Sequence, residues 1–200
     1  MRIYLDPGHG GLLDPGCVYN DVKETDLVWA IVKKLAAILT AYGCYAGMSR
    51  NQNEDPRLHD RATKAGALKA DLAIAVHANA EPTGIAMGAR TYYWPGNERT
   101  KKTAGNICRG FPHELAPPRT IKTLFDPYAP RPADKATDPR VRNVLAPYYC
   151  DAILIECGFI SHDRDRVALC DNDVQERIAL AIATHALAHV TKTSTGPTAF

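Results

Sequence analysis

The amino-acid sequence predicts an α/β fold built on a doubly wound, mostly parallel sheet. Segments with the composition of strands alternate with segments that have the apolar period of a helix, an order that favours parallel strands connected by helices. Two strand segments, 72–76 and 152–155, are continuous apolar runs, which is typical of strands covered on both faces. A chain of 200 residues with 46% hydrophobic residues is long enough to form one domain of this kind.

The first half of the chain contains three predicted strands and two predicted helices. The first helical pattern begins at Asp21 and ends at Gly43, a typical C-terminal stop. Asp55 and Pro56 are predicted to be the N-cap and the first position of the second helix. The predicted elements, in order, are a strand at 3–5, a helix between 21 and 43, a strand at 44–48, a helix from 56 to 68 and a strand at 72–76.

The second half adds two strands, two helices and a long loop. More than half of the prolines lie between residues 112 and 147, so this stretch is predicted to be mostly loop. We expect residues 1–190 to form a single domain and residues 191–200 to be a disordered tail. The remaining predicted elements are a strand at 89–94, a helix at 98–111, a strand at 152–155 and a helix at 173–190.

The charge balance and the hydrophobic pattern exclude several classes of protein. Lys and Arg total 24 and Asp and Glu total 22, so the net charge of +2 provides neither the basic surface of a nucleic-acid-binding protein nor a polybasic membrane patch. No apolar run approaches the roughly 18 residues of a transmembrane helix. The N-terminal MRIYLDPGHGG lacks the pattern of an export signal. We therefore expect a monomer with no nucleic-acid partner and no transmembrane segment.

The six cysteines are predicted to be free thiols. They include no Cys-x-x-Cys pair, and a chain of this length does not need disulfides in order to fold. A protein made in a reducing cytoplasm keeps such thiols reduced. The six residues are Cys17, Cys44, Cys108, Cys150, Cys157 and Cys170.

Three polar side chains stand where predicted strands end. His9 follows the first strand, His77 the third and Glu156 the last. In a doubly wound sheet, sites form in the crevice beyond the carboxyl ends of the strands, so these side chains are expected to lie at one edge. Two histidines and a carboxylate are a common catalytic zinc set, in which the fourth position stays open to water. The pattern therefore indicates a metallohydrolase.

The local sequence leaves open which carboxylate is the third ligand and which is the general base. Glu24 stands three residues after an aspartate, a spacing typical of a capping box, and local evidence favours that interpretation. Glu156 ends a strongly apolar strand, where a carboxylate is costly unless it is paired or metal-bound. Cys157 is expected on the opposite face of that strand. His185 and His189 fit a polar edge of the terminal helix better than a metal site.

Four segments, in chain order, resemble the zinc-dependent N-acetylmuramoyl-L-alanine amidases of the Amidase_3 family. They are IYLDPGHGGLLDPG, KETDLVWAIVKKL, LHDRATKAGALKADLAIAVHANA and AILIECGFISH. Each segment is short, but the order and spacing of all four make the resemblance specific, and it covers nearly the whole chain. The resemblance implies a three-layer α/β/α sandwich around a mixed, mostly parallel twisted sheet, in agreement with the pattern of elements.

The resemblance also implies a role for each candidate residue. His9, Glu24 and His77 match the three zinc ligands of the family. Glu156 matches its catalytic glutamate, so the resemblance reverses the local interpretation of Glu24 as a helix cap. Arg61 matches an arginine usually found in the helix before the third strand, and its role is left open. The implied cofactor is zinc and the implied substrate is peptidoglycan, cleaved between the lactyl group of N-acetylmuramic acid and L-alanine.

At four positions the sequence departs from the usual pattern of the family. None of these departures removes an implied ligand or the catalytic glutamate. Substrate preference is left open by the differences at Arg90 and His162 and by the Pro-rich loop at 112–147. The four departures are Ala75 in place of Ser, Arg90 in place of the Glu of a Gly-x-Glu motif, Asp151 in place of Pro and His162 in place of Asn.

The biological setting and two other functions are kept as alternatives. The lack of an export-signal pattern and of a wall-binding repeat favours a phage or prophage endolysin, made in the host cytoplasm and released at lysis. An exported bacterial autolysin, with its leader absent from this sequence, is the alternative setting. The alternative functions are another zinc hydrolase on the same scaffold, such as an exopeptidase, and an inactive peptidoglycan-binding regulator. The complete set of His9, Glu24, His77 and Glu156 argues against the inactive regulator.

Overall fold

The computed structural model describes residues 1–94, 96–115 and 148–191 of the chain. Within these ranges, the structure contains each predicted strand and helix in the predicted order, together with three further short elements. The strands are β1 (Arg2–Pro7), β2 (Val18–Tyr19), β3 (Val22–Lys23), β4 (Tyr45–Met48), β5 (Leu72–Asn79), β6 (Arg90–Tyr93) and β7 (Asp151–Phe159). The helices are α1 (Glu24–Ala41), α2 (Leu58–Leu68), α3 (Glu98–Arg109), α4 (Asp163–Cys170) and α5 (Asn172–Thr191).

Five of the strands form a mixed, mostly parallel sheet, which confirms the predicted fold class. Their spatial order is β4-β1-β5-β7-β6, and each neighbouring pair is parallel except β7 and β6, which are antiparallel. The carboxyl ends of the four parallel strands therefore share one edge of the sheet, and β6 begins at that same edge. The short strands β2 and β3 form a separate hairpin.

Helices cover the sheet on both faces. Thr91 of β6 donates a hydrogen bond to the carbonyl of Ala104 in α3, so alternate residues of β6 face α3. α3 packs on α5 and α5 packs on α1, which places these three helices on the same side. The strand register puts Asp6 of β1 on the opposite face, where its carboxylate pairs with Arg61 of α2. The three-layer α/β/α arrangement is therefore confirmed.

The first helix begins later than predicted. Asn20 and Asp21 have φ angles of 47° and 62°, which suit the two central positions of a type I′ turn, and they connect β2 to β3. α1 consequently starts at Glu24, and its N-cap is Lys23, which makes no side-chain capping hydrogen bond. The capping box expected between Asp21 and Glu24 is wrong, because the hairpin turn separates Asp21 from the helix.

The second helix also begins later, at Leu58 instead of Pro56. Arg57 is its N-cap and has an extended backbone, with φ −60° and ψ 154°. The carbonyl of Pro56 accepts a hydrogen bond from Nε of Arg61 at 2.8 Å, outside the hydrogen-bond pattern of the helix. Asp55 and Pro56 instead line the cavity at the carboxyl edge of the sheet. The predicted N-cap at Asp55 is therefore wrong.

The strands that carry the candidate residues are longer than predicted. β5 runs to Asn79 and β7 runs to Phe159. His77 and Glu156 lie within these strands, directly opposite each other in the parallel register, and of the three residues expected at strand ends only His9 stands beyond its strand. The apolar runs end where polar side chains begin, but backbone pairing continues because it does not depend on side-chain polarity.

Some predictions are not matched or lie beyond the described ranges. α4 and the two-residue strands β2 and β3 have no counterpart in the sequence prediction. Residues 116–147 and 192–200 lie outside the described residues, so the Pro-rich loop, the disordered tail and the single domain stay predictions. No helix in the described ranges combines the length and apolarity needed to span a membrane. All six cysteines are free thiols in the structure.

His189 belongs to a buried hydrogen-bond network and not to a metal site with His185. Its Nδ1 lies 2.9 Å from Oγ1 of Thr103, and its Nε2 lies 2.9 Å from Oδ2 of Asp151. Nε of Arg99 lies 3.2 Å from the same oxygen of Asp151. Hydrogen bonding with His189 holds the pKa of Asp151 below its usual value, although partial burial acts in the opposite direction. The network ties α5 to α3 and to the first residue of β7.

We expect Asp151→Asn to weaken the fold in a pH-dependent way. Because the pKa of Asp151 is lowered in the folded protein, its carboxylate contributes stability above the ordinary aspartate pKa of about 3.9 and loses that contribution as the pH falls below it. The substitution should lower the free energy of unfolding by about 1–3 kcal/mol at pH 7, and the difference should shrink toward pH 3. Urea unfolding at pH 7, 5 and 3 measures both effects.

Asp21→Asn is the matched control for this experiment. Asp21 is exposed, and its left-handed backbone is one that asparagine adopts readily. This variant should therefore have the stability of the parent at each pH. A constant difference between Asp151→Asn and the parent at all three pH values would contradict the assigned role of the carboxylate.

Candidate metal centre

The structure brings His9, Glu24 and His77 together at the carboxyl edge of the sheet. One ligand atom of each residue lies within 4.8 Å of the other two. Glu24 stands between the histidines, with Oε2 3.2 Å from Nε2 of His9 and Oε1 3.0 Å from Nδ1 of His77. The two imidazole rings meet edge to face, with their centroids 5.3 Å apart. In the described part of the chain, this is the only group of three or more side chains with metal-ligand geometry.

Each member of the group comes from a different element. His77 lies on β5. His9 lies in the glycine-rich turn after β1 and has a φ of 56°, a left-handed conformation that is uncommon for any residue other than glycine. Glu24 is the first residue of α1, and the preceding β2–β3 hairpin places it at the sheet edge. The three candidate ligands therefore meet only when the sheet, the hairpin and the helix are all in place.

The carboxylate of Glu24 is buried and fixed by the backbone. The N–H of Cys17 donates to Oε2 and the N–H of Ala78 donates to Oε1, both at 3.0 Å. Burial acts to raise the pKa of Glu24, but the hydrogen bonds and charges of His77 and His9 outweigh it and hold the pKa well below its usual range. The group is therefore an anion whose orientation is set before any cation binds.

Asp14 orients the ring of His9. Nδ1 of His9 lies 2.9 Å from both carboxylate oxygens of Asp14, and the backbone of Asp14 pairs with Gly10 across the turn. This contact leaves Nε2 directed at Glu24, the arrangement in which an outer carboxylate positions a metal-binding histidine. Burial acts to lower the pKa of His9, but Glu24 and Asp14 together raise it to about 9. The sequence interpretation missed Asp14, although it is the acid that closes the glycine-rich turn.

Two glycines provide the space in which the ligands meet. A Cβ atom at Gly8 would overlap the imidazole of His77. A Cβ atom at Gly16, which has a φ of 68°, would lie 2.7 Å from Oε2 of Glu24 and 2.7 Å from Cδ2 of His9. Neither position can therefore carry a side chain without displacing a candidate ligand.

Two arginines support the turn that carries His9. Arg50 donates from Nε to the carbonyl of Pro7 and from Nη2 to the carbonyl of Gly8, both at 2.9 Å. Arg61 donates to the carbonyl of Pro7 at 2.9 Å and to the carbonyl of His9 at 2.7 Å. The two side chains are almost fully buried, and they satisfy three successive carbonyls of a strained turn. This is the role that the sequence left open for Arg61, and the sequence interpretation missed Arg50.

Asp6 connects this support to Tyr148, the first described residue after the Pro-rich stretch. Nη1 of Arg61 lies 2.7 Å from Oδ1 of Asp6, and the hydroxyl of Tyr148 donates to Oδ2 at 2.6 Å. Burial and the charge of Asp6 raise the pKa of Tyr148, so its hydroxyl keeps the proton that it donates. This hydrogen bond therefore fixes the segment just before β7 beside the candidate metal centre.

Glu156 lies in the same cavity but outside the group of candidate ligands. It is the register partner of His77, on a neighbouring strand whose backbone is about 4.8 Å away. The cavity has a volume of about 510 Å³ and is lined by His9, Glu24, His77 and Glu156, a size that suits a segment of a larger substrate. Cys157, the next residue, is fully buried, does not line the cavity and has a pKa raised by burial.

The chain is similar to a known family along most of its length. The family model Amidase_3, described as N-acetylmuramoyl-L-alanine amidase, matches residues 3–187. The endolysin of Bacillus phage SPP1 is 37% identical over 188 residues, which are 90% of this chain and 64% of the endolysin. The N-acetylmuramoyl-L-alanine amidase LytC of Bacillus subtilis is 35% identical over 91 residues, which are 46% of this chain and 18% of LytC. The chain therefore spans less than two thirds of the length of either relative.

A solved structure has the same fold over nearly its whole length. The N-acetylmuramoyl-L-alanine amidase from Clostridium difficile 630 is 27% identical to this chain and superposes with a TM-score of 0.77. The superposition covers 98% of this chain and 98% of that structure. The likeness therefore includes the central sheet and the helices on both of its faces.

We expect Gly8→Ala to damage the metal centre while leaving the sheet folded. The added methyl group must displace the ring of His77, so the affinity for Zn²⁺ or Co²⁺ should fall by about tenfold or more. Metal titration followed by calorimetry, or by the visible spectrum of Co²⁺, measures this loss. Circular dichroism and urea unfolding report on the fold.

Gly66→Ala is the matched control for the substitution at Gly8. Gly66 lies inside α2, and a Cβ there would meet no atom within 4 Å. Alanine should stabilise the helix by about 0.5–1 kcal/mol and leave the metal affinity at the parent value. Parent metal affinity in Gly8→Ala would show that the ring of His77 is not a ligand.

Proposed function

Because the chain belongs to the Amidase_3 family of N-acetylmuramoyl-L-alanine amidases, we propose that it is a zinc-dependent amidase of peptidoglycan. The bond hydrolysed joins the lactyl group of N-acetylmuramic acid to L-alanine of the peptide stem. The observation that carries the proposal is the division of the site into two parts. Two histidines and a buried carboxylate lie within 4.8 Å of one another, and a second carboxylate, Glu156, lines the same cavity outside that group.

The donor set fits zinc. His9 and His77 offer imidazole nitrogens and Glu24 offers a carboxylate oxygen, the ligand types that zinc uses in catalytic sites. These three side chains would hold the ion. The buried anion of Glu24 favours a positive charge between the histidines. The chemistry that a bound zinc ion supplies is polarisation of the scissile carbonyl and acidification of water.

Glu156 is assigned as the general base and then the general acid. Its carboxylate lines the cavity next to His77, within reach of a water molecule that attacks the amide carbon. Glu156 accepts a proton from that water and delivers it to the amide nitrogen, so that the carbon–nitrogen bond breaks and a neutral amine leaves. Asp14, Arg50 and Arg61 act through His9, because they hold its ring and its backbone in place.

The proposal extends to the setting in which the enzyme acts. Similarity to the endolysin of phage SPP1 supports a role in lysis of the bacterial wall. In this setting the protein is made in the host cytoplasm and acts as a monomer on peptidoglycan after its release. Similarity to LytC supports the alternative, an autolysin that a bacterium exports to its own wall.

The purified protein should contain about one zinc ion per chain. His77→Ala removes one of three donors, so both zinc and activity should be lost. Elemental analysis measures the metal, and clearing of a suspension of sacculi measures the activity. His59→Ala is the matched control, because His59 is exposed on α2 and makes no side-chain contact with the site. Full zinc occupancy in a His9→Ala, His77→Ala double variant would overturn the assignment of the metal centre.

Glu156→Gln should separate metal binding from catalysis. The substitution keeps the shape of the side chain and removes the proton acceptor, so the rate should fall by roughly 10²–10⁴ while zinc stays bound. Zinc content and the rate of sacculus hydrolysis, measured on the same preparation, test both parts. Glu176→Gln, an exposed change on α5, should match the parent in both measurements.

Two results would contradict this mechanism. Loss of zinc from Glu156→Gln would make Glu156 a ligand, and full activity would mean that another group activates the water. Mass spectrometry of the products tests the substrate. Muramic acid with a free lactyl carboxylate is expected, whereas release of single amino acids would indicate an exopeptidase.

A further inference from the structure

Arg90 lies beside the catalytic carboxylate on the edge strand of the sheet. In the antiparallel register of β6 and β7, Arg90 is opposite Glu156 and Tyr92 is opposite Leu154. Side chains of directly opposite residues share one face of a sheet. Tyr92, Leu154 and Glu156 all line the cavity, so Arg90 projects from the face on which the cavity lies.

The guanidinium of Arg90 reaches the edge at which the site opens. Its central carbon lies 4.5 Å from the centroid of the Phe159 ring, and Phe159 is the last residue of β7. Phe159 is opposite Asn79 of β5, and Asn79 lines the cavity. Stacking on a buried ring holds the guanidinium in one orientation, next to the rim of the cavity.

The other arginines around the site use their guanidinium donors in contacts within the protein, and Arg90 does not show such a contact among the described residues. Arg50 and Arg61 donate to backbone carbonyls of the turn that carries His9, and Arg57 pairs with Asp60. Among the described residues, the structure shows no hydrogen bond or ion pair to the guanidinium of Arg90, which is half-buried. In the described part of the chain, its planar donors are therefore open to a ligand.

The charge of the cavity explains why such a cation is needed. Five carboxylates line it, and its two lining arginines, Arg57 and Arg61, are already paired with Asp60 and Asp6, so an anionic group on a substrate gains from a cation that is not paired in this way. Arg90 places a positive charge on the strand next to Glu156, its register partner. The five carboxylates are those of Asp6, Asp14, Glu24, Asp55 and Glu156.

We infer that Arg90 selects substrates that have a free carboxylate on the second residue of the peptide stem. His77, Glu156 and Arg90 are consecutive register partners across three strands, so the backbone of Arg90 is about 10 Å from that of His77. An extended peptide advances about 3.5 Å per residue, so the carboxylate of the second stem residue lies about 7 Å from the scissile amide. A guanidinium binds such a carboxylate through two parallel hydrogen bonds. This inference rests on the proposed amidase function.

The test compares two synthetic muramoyl tripeptides that differ in one group. The second residue is D-isoglutamate, with a free α-carboxylate, in one probe and D-isoglutamine, with a carboxamide, in the other. The parent protein should have a kcat/KM about tenfold higher for the carboxylate probe, mainly through KM. In Arg90→Gln the ratio between the two probes should fall to about one, and Arg90→Lys should give an intermediate ratio because lysine keeps the charge without the paired donors.

A matched control and separate readouts distinguish the possible results. Arg109→Gln removes a positive charge at the end of α3, away from the cavity, and should leave the ratio at the parent value. An equal ratio in the parent and Arg90→Gln, or no preference in the parent, would overturn the role of Arg90 while leaving the amidase proposal intact. Failure of the parent to cleave sacculi and both probes would instead overturn the amidase function, and this inference with it.

Discussion

The rest of the site depends on the hydrogen bonds and ion pairs that stabilise the buried carboxylate of Glu24. A carboxylate removed from water is costly unless its charge and its lone pairs are satisfied. Here two backbone N–H groups and two imidazoles surround it, and they come from the hairpin, from β5 and from the turn after β1. Glycine is required at Gly8 and Gly16 because this convergence leaves no room for a Cβ atom. The carboxylate and the two imidazoles are also ligand types that suit a metal cation.

The turn that carries His9 needs support of its own. A residue other than glycine in the left-handed region costs on the order of 1–3 kcal/mol, and such a conformation persists only where the surroundings impose it. Arg50, which follows β4, and Arg61, which lies on α2, donate hydrogen bonds to the carbonyls of this turn. Asp14 makes a hydrogen bond with the imidazole ring of His9. Arg61 also pairs with Asp6. The buried charges of the two arginines therefore support the backbone of a single candidate ligand, His9.

The register of the sheet assigns different tasks to neighbouring residues. Parallel pairing of β5 with β7 places Glu156 directly opposite His77 and outside the group of candidate ligands. Successive side chains of β7 point to opposite faces of the sheet, so Cys157 points away from the cavity. Its thiol, another potential metal donor, is therefore kept out of the site. Antiparallel pairing with β6 brings Arg90 to the same edge from the other direction. The candidate ligand His77, the proposed base Glu156 and the proposed selecting residue Arg90 therefore occupy three adjacent strands.

The sequence by itself determined the order along the chain of the five sheet strands and of four of the five helices, because apolar period and chain-breaking residues act over short stretches. It also indicated that Glu156 shares an edge with the histidines, since parallel strands end on the same side. Only the tertiary structure showed that a hairpin turn separates Asp21 from the helix, so that the two residues form no capping box, and that Glu24 lies between His9 and His77. It likewise revealed Asp14 as the partner of a histidine ring, and it revealed Arg50, which is 43 residues from the carbonyl that it binds. Such contacts join segments that only packing brings together, so no local pattern in the sequence records them.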